Sequence, residues 1–310
     1  MDKKILVAVD GSTFSYNALR YLCNLFTDLP GIHVHLYHVI PLMPLPPGHE
    51  WAAEETLIGS MTPQAIEKTR AAKRFMDVAA LQLARLGIEL DQVSSCIAYS
   101  RCGVAADILK EAQRGLYDAL VVGRRGVTTI EEILFGSSTS SAVCKACCDI
   151  PVWVVDGKVD SRNFFLPVDE TFNSLKAADH LGFILQDNPY AEITLYHFEG
   201  ILPSSKPEDK KTLQDRWGEE WCRLHLERDD ALYHAPEQIL IDMGFPAERI
   251  RRRESSGLGT TSHIIKHSIH TECGTIVIGR RTRGLRKGIL KGVSDRILKE
   301  ASCMAIWIVG

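Results

Sequence analysis

The chain has 310 residues, 45% of them hydrophobic and 24% charged, with a formal net charge of −3. That balance is the one of an ordinary globular protein, and it argues against nucleic acid or an acidic membrane as partner. No apolar run approaches the ~20 residues a spanning helix needs, and at roughly 100–200 residues per domain the length predicts two domains.

Met1-Asp2-Lys3-Lys4 leads straight into a short apolar stretch, Ile5 to Val9. This is too short for the core of a signal peptide and no small-residue cleavage site follows, so a cytoplasmic location is expected. Strands are predicted over residues 4–10, 33–39, 93–98, 118–123 and 151–155. They are near-continuous apolar runs, as in strands of a parallel sheet buried on both faces.

Helices are predicted between them. Residues 15–27 place Ala18, Leu19, Leu22, Cys23 and Phe26 on one face. Residues 63–86 follow Thr62 as N-cap, start with Pro63 and stop at Gly87. Their apolar face is Ala72, Phe75, Ala79, Leu83 and Leu86. Residues 104–114 and 137–147 complete the set. Such alternation with right-handed crossovers gives an α/β doubly wound sheet with helices on both faces.

Two Pro-rich or charged segments, 41–62 and 199–216, read as irregular. Both follow a second strand and so lie by the carboxyl ends of the strands, where open α/β sheets bind ligands; surface loops are the plainer reading. Nine cysteines are scattered through the chain. Cys23, Cys96, Cys222 and Cys303 sit in apolar segments, which suits free thiols in a reducing compartment. The cluster Cys144, Cys147 and Cys148 has no second Cys/His pair at ligand spacing, and free thiols on a helix outweigh a redox or metal role.

An internal repeat organises all of this. A shift of 159 carries Lys4–Asp10 (KILVAVD) onto Asn163–Asp169 (NFFLPVD), and Leu36-Tyr37-His38-Val39 onto Leu195-Tyr196-His197-Phe198. A shift of 156 carries Val121–Arg125 onto Val277–Arg281, and Val152–Val155 is answered by Ile306–Val309. Four segments matched in order predict two domains, 1–157 and 162–310, joined by the polar linker 156–162.

After the fourth strand the first half reads Gly123-x2-Gly126-x9-Gly136-Ser137-Ser138. Glycines let the backbone turn and approach a ligand. A helix opening at Gly136-Ser137 offers free N–H groups, a positive dipole end and hydroxyls to an anion. Read alone, the glycines also suit plain loop punctuation.

With the opening Ile5–Ser12 and the strand end His38-Val39, this spacing resembles the G-x2-G-x9-G-[ST] pattern of ATP-binding universal stress proteins. The resemblance covers both halves. It implies two tandem Rossmann-like domains of the adenine nucleotide alpha hydrolase-like type, each a five-stranded parallel sheet of order 3-2-1-4-5. It implies ATP as ligand of the first domain. Asp10 and Val39 would line the adenosine end; Val122, Gly123 and Gly126 the sugar and α-phosphate; Gly136, Ser137 and Ser138 the other phosphates. Any Mg2+ would be held mainly by those phosphates.

Plainer readings stand beside these: Asp10 capping its own turn, His38 as a hydrogen-bonded core residue rather than a base, and Arg124 and Arg125 facing solvent. The second half departs from the pattern, with Thr282 for the second glycine and Glu170 for Gly11. In one register Gly292-Val293 replaces Gly136-Ser137; in another, Lys291 replaces the glycine. A degenerate site is expected there, although the basic loop Arg280–Lys291 leaves another anion or a partner surface open.

Three functional readings remain: a nucleotide-binding regulatory protein acting on a protein partner, a slow ATPase or self-phosphorylating enzyme using Ser137–Ser141, and a scaffold independent of nucleotide. The P-loop, G-x-G-x-x-G and H-E-x-x-H motifs are all absent from the sequence, which disfavours an enzyme and leaves no catalytic residue to name. Single-domain members of the resembled family commonly pair through the last strand. The resemblance therefore implies an internal pseudo-dimer of 151–155 with 305–309, with a homodimer of the whole chain also open.

Overall fold

A computed structural model describes residues 2–27, 29, 31–41, 63–124, 150–169, 171–200, 210–280 and 292–310. The chain divides into two compact units, Met1–Lys158 and Val159–Gly310.

The first unit contains β1 (Lys3–Ala8), α1 (Thr13–Phe26), β2 (Ile32–Ile40), α2 (Pro63–Arg85), β3 (Val93–Tyr99), α3 (Val104–Arg114), β4 (Ala119–Gly123) and β5 (Val152–Val155). Its strands hydrogen-bond in the order β3-β2-β1-β4-β5, every neighbouring pair parallel. The central strand, β1, has Ile5, Leu6 and Val7 wholly buried, each contributing about 1.5–3 kcal/mol of apolar burial. The order reverses direction after β3, so right-handed crossovers put α1 and α2 on one face and α3 on the other.

Helix α1 starts where Ser12 accepts a hydrogen bond from the Ser15 N–H at 3.4 Å, a side-chain N-cap. Ala18, Leu19, Leu22, Cys23 and Phe26 are buried, as their spacing predicts. In α2 the spacing is right for Ala72, Ala79 and Leu83 but not for Leu86, which is 44% exposed. The helix ends at Arg85 and the chain turns at Gly87 with φ +101°, so Leu86 leaves the apolar face and Met76 is buried there instead. The edge strand β3 is also exposed over Ser94, Ser95 and Cys96, because one side of an edge strand has no neighbour. Cys96 is therefore exposed, against expectation; Cys303 is also exposed, in the segment between Glu300 and Ala305, whereas Cys23, Cys222 and Cys273 are buried.

The second unit repeats the plan with β6 (Asn163–Pro167), α4 (Phe172–Leu185), β7 (Glu192–Gly200), β8 (Ile250–Gly257), α8 (Thr260–His270), β9 (Thr275–Gly279), α9 (Val293–Glu300) and β10 (Ala305–Val309). Its strand order, β8-β7-β6-β9-β10, matches the first unit's, and all neighbouring pairs are parallel. Between β7 and β8 it carries three helices, α5 (Lys210–Trp217), α6 (Glu219–Leu226) and α7 (Ala231–Asp242); at that place the described residues of the first unit include α2. The segment expected to be irregular through 216 is thus helical from Lys210. Gly218, at φ +88°, separates α5 from α6.

The expected helix over 137–147, the Cys144/Cys147/Cys148 cluster and most of the segment 41–62 lie outside the described residues. Among the described residues no helix is long and apolar enough to cross a membrane, and no group of three or more His, Cys, Asp or Glu side chains is placed to hold a metal ion.

Candidate functional site

In a sheet of this order the crossovers change face between β1 and β4, and a crevice opens beyond their carboxyl ends. The register brings the predicted residues there. Ala8 pairs with Tyr37 of β2 on one side and with Val122 of β4 on the other. Asp10, Val39 and Gly123 stand just past that row. Gly126, Gly136, Ser137 and Ser138 lie outside the described residues, as does Arg125.

Asp10 is engaged in its own turn. Its Oδ1 accepts from the Ser12 N–H at 3.0 Å and from the Ser15 hydroxyl, and its N–H donates to Ser15 Oγ at 2.9 Å. The second unit repeats the arrangement: the Thr171 N–H donates to Asp169 Oδ1 at 3.0 Å and the Asp169 N–H to Ser174 Oγ at 3.1 Å. A short polar residue that bonds the backbone two positions on is a turn former. One structural task of Asp10 is therefore to set the start of α1.

His38 ends the β1–β2 ladder. The last rung is Val9 N–H to the Tyr37 carbonyl at 3.0 Å. The next would run from the Val39 N–H to the Val9 carbonyl, but His38 Nδ1 sits 2.6 Å from that oxygen. A carbonyl only accepts, so Nδ1 carries the proton. Tyr37 turns its carbonyl toward β1, and by the two-residue alternation Val39 turns its N–H and C=O the same way. Among the described residues no hydrogen bond is formed by those two groups. Val39 is buried at 4% exposure, so its backbone offers a donor and an acceptor on an apolar wall beyond the end of β1. His197 Nδ1 makes the same contact to the Val168 carbonyl at 3.1 Å, with Phe198 in the place of Val39.

Gly123 is required by packing as well. A Cβ there would stand 2.8 Å from the backbone of Phe14 at the start of α1. Its counterpart Gly279 is tighter still: a Cβ would lie 2.0 Å from the Asn173 carbonyl oxygen. This role was readable in part, since the repeat keeps Gly279 while Thr282 replaces the next glycine. Val122 is buried. Arg124 is drawn back to the sheet: its N–H donates to the Val155 carbonyl at 2.9 Å and its Nη1 lies 3.1 Å from Asp156 Oδ2, both side chains mostly buried. Asp156 carries no motif signal and is legible only in three dimensions.

In the second unit Gly292 is the N-cap of α9, and its N–H donates to Asp295 Oδ2 at 3.3 Å. The helix terminus thus carries its own carboxylate, which is unfavourable for a phosphate at the same place. The first half has Thr139 at that repeat position.

A cleft of about 150 Å³ lies elsewhere in the first unit, among Tyr37, Tyr99, Arg101, Asp107 and Lys110. It is below the ≈ 300 Å³ of the smallest usual ligand pockets. Burial and the nearby Glu111 carboxylate raise the Tyr37 hydroxyl pKa, so that hydroxyl stays protonated.

The model of the universal stress protein family matches residues 1–156, half of the chain. The chain belongs to the universal stress protein family. No curated protein matches it. Among solved structures it is similar to a universal stress protein from Archaeoglobus fulgidus DSM 4304, with 16% identity over 99% of this chain and 95% of that one and a TM-score of 0.62. A putative universal stress protein from Pseudomonas aeruginosa UCBPP-PA14 matches at 13% identity over 99% and 93%, with a TM-score of 0.53. Both likenesses are of fold. A universal stress protein from Archaeoglobus fulgidus solved in complex with dAMP aligns with 39% of this chain and 79% of its own length, at 20% identity and a TM-score of 0.28.

Proposed function

We propose that the chain is a nucleotide-binding stress-response regulator made of two universal stress protein domains, residues 1–157 and 162–310. The first domain takes ATP at the crevice between β1 and β4. The second is degenerate there. The observation that carries this reading is the pair of backbone groups of Val39, left facing the crevice because His38 takes the Val9 carbonyl. An adenine edge offers one acceptor and one donor, the complement of an N–H beside a C=O. Asp10 and Val39 would meet the adenosine, Val122, Gly123 and Gly126 the sugar and first phosphate, and Gly136, Ser137 and Ser138 the rest, with Mg2+ on the phosphates. The family's Gly-x2-Gly-x9-Gly-Ser spacing is intact in this half and broken in the other. Bound ATP supplies no step of catalysis in this reading; it favours one conformation, which a protein partner senses.

The test is mass spectrometry of what the natively purified full chain releases on denaturation, with ATP-dependent melting of wild type and Gly136→Asp. Co-purified adenine nucleotide and a melting shift lost in the variant are expected. No nucleotide and no shift would overturn the proposal and leave a scaffold on the same fold.

A further inference from the structure

The turn after the third strand of each unit differs in a way that points to a second ligand. In the first unit Gly103 caps α3, and Asp107, the fourth helical residue, folds back into the turn. Its carboxylate accepts from the Arg101 N–H at 2.8 Å, from the Cys102 N–H at 3.2 Å and from the Ser100 hydroxyl at 3.1 Å. Asp107 is only 8% exposed. The turn is therefore an anion cradle filled by the protein's own carboxylate.

In the second unit Gly259 caps α8, and the fourth helical residue is His263. The ring lies against the turn, with Nε2 3.4 Å from where a Cβ on Gly257 would be. Gly257 and Gly259 have φ of +148° and +86°, conformations that favour glycine. Where α3 continues Val104-Ala105-Ala106, α8 has Thr260-Thr261-Ser262. The first turn holds no acidic residue and no side-chain cap.

Two buried polar atoms there, Thr261 Oγ1 and His263 Nδ1, have no hydrogen-bond partner among the described residues, and Thr261 is 4% exposed. The Cα–Cβ bonds of a helix tilt toward its N-terminus, which places the Thr261 side chain on the side of the turn. Each unpaired buried polar atom in a native fold calls for an explanation, a bound water or ion being one. Here an acid has been exchanged for an imidazole and two alanines for hydroxyls, around the same helix start.

We propose that the β8–α8 turn, Gly257–His263, binds a phosphate group supplied from outside, in the place that Asp107 fills in the first unit. The N–H groups of the first turn, the Thr261 and Ser262 hydroxyls and the His263 imidazole are its donors. The site is separate from the β1–β4 crevice and does not depend on the nucleotide reading.

The test uses the full chain carrying Gly136→Asp, so that phosphate bound in the first unit does not contribute. Inorganic phosphate and glycerol phosphate are titrated against a chloride control, followed by equilibrium dialysis and by the NMR signal of the His263 ring. Saturable binding of one equivalent with movement of that signal is expected. Tighter binding of the ester assigns a phosphate monoester, and tighter binding of the free ion assigns inorganic phosphate. Adding His263→Asp, which supplies an internal carboxylate, is expected to weaken binding at least tenfold. Thr261→Val, nearly isosteric, is expected to weaken it severalfold and decides the matter if the first variant does not fold. Absence of saturable binding, or binding that both variants leave unchanged, would overturn the proposal.

Discussion

Gly123 at the end of β4 touches the backbone of Phe14 so closely that an added Cβ would stand 2.8 Å from it. The first residue of the glycine pattern is thus also a packing residue between sheet and helix. Gly123→Ala is expected to destabilise the fold by about 1–3 kcal/mol, the usual cost of overpacking. Gly279→Ala, with 2.0 Å to the Asn173 oxygen, is expected to cost more. Urea unfolding should show lower midpoints with unchanged slopes; equal stability of wild type and variants would contradict the close approach.

Asp10 separates structure from binding through its two conservative replacements. Asp10→Ala removes the acceptor used by Ser12 and Ser15 and is expected to cost about 1.5–3 kcal/mol, the range for bonds to a charged group. Asp10→Asn keeps an oxygen in place and is expected to melt close to wild type. Thermal melting of the two, without nucleotide, checks this.

His180 predicts a response to acid. It lies buried beside Trp307, ring centroids 5.7 Å apart, and burial pushes its pKa from 6.5 down to about 3. On acidification the unfolded chain takes this proton first. The stability is therefore fully present above about pH 6.5 and lost as pH falls toward 3, with a slope approaching about 1.4 kcal/mol per pH unit per proton. Burial also lowers His35, His234 and His267, so the slope is shared. His180→Gln should reduce the proton uptake on unfolding between pH 6 and 5 by about one, measured from urea midpoints; an unchanged slope would refute it.

The thiols divide by burial. Cys23 is buried and its pKa is pushed up to about 12; Cys222 and Cys273 are raised in the same sense. Only thiolate reacts readily. Iodoacetamide on the native chain should modify Cys96, Cys102 and Cys303 well before those three, as mapped by peptide mass spectrometry. Equal labelling in the native and the urea-unfolded chain would show the assignment to be wrong.

Much of the fold was legible because buried parallel strands leave apolar runs such as Ile5–Val9, and because the repeat supplied four of the five strand segments twice. Leu86 misled because periodicity does not mark where a helix ends. Cys96 misled because an edge strand reads like an inner one until its neighbours are known. At the candidate site, Asp10, Val39 and Gly123 were singled out by pattern, and the register puts them just past the Ala8 row. Their physical reasons, the His38–Val9 contact and the Phe14 approach, join residues distant in sequence and leave no local trace. The pairing of Asp107 with its turn was invisible for the same cause.

The central place of β1 also bears on how the chain is made. Ile5 pairs with Ala119, and Phe164 with Thr275, so at ribosomal speeds of about 5–20 residues per second each founding strand waits roughly ten seconds for its second neighbour. During that interval either founding strand is exposed to the other's partners, the characteristic hazard of tandem repeats. The two differ in bulk where it counts. Phe164 and Phe165 pack on Trp307 and Tyr196, at the repeat positions that hold the smaller Ile5 and Leu6 in the first unit. The difference in volume at these two positions disfavours exchange of the founding strands, because a packed core resists both underfilling and overfilling.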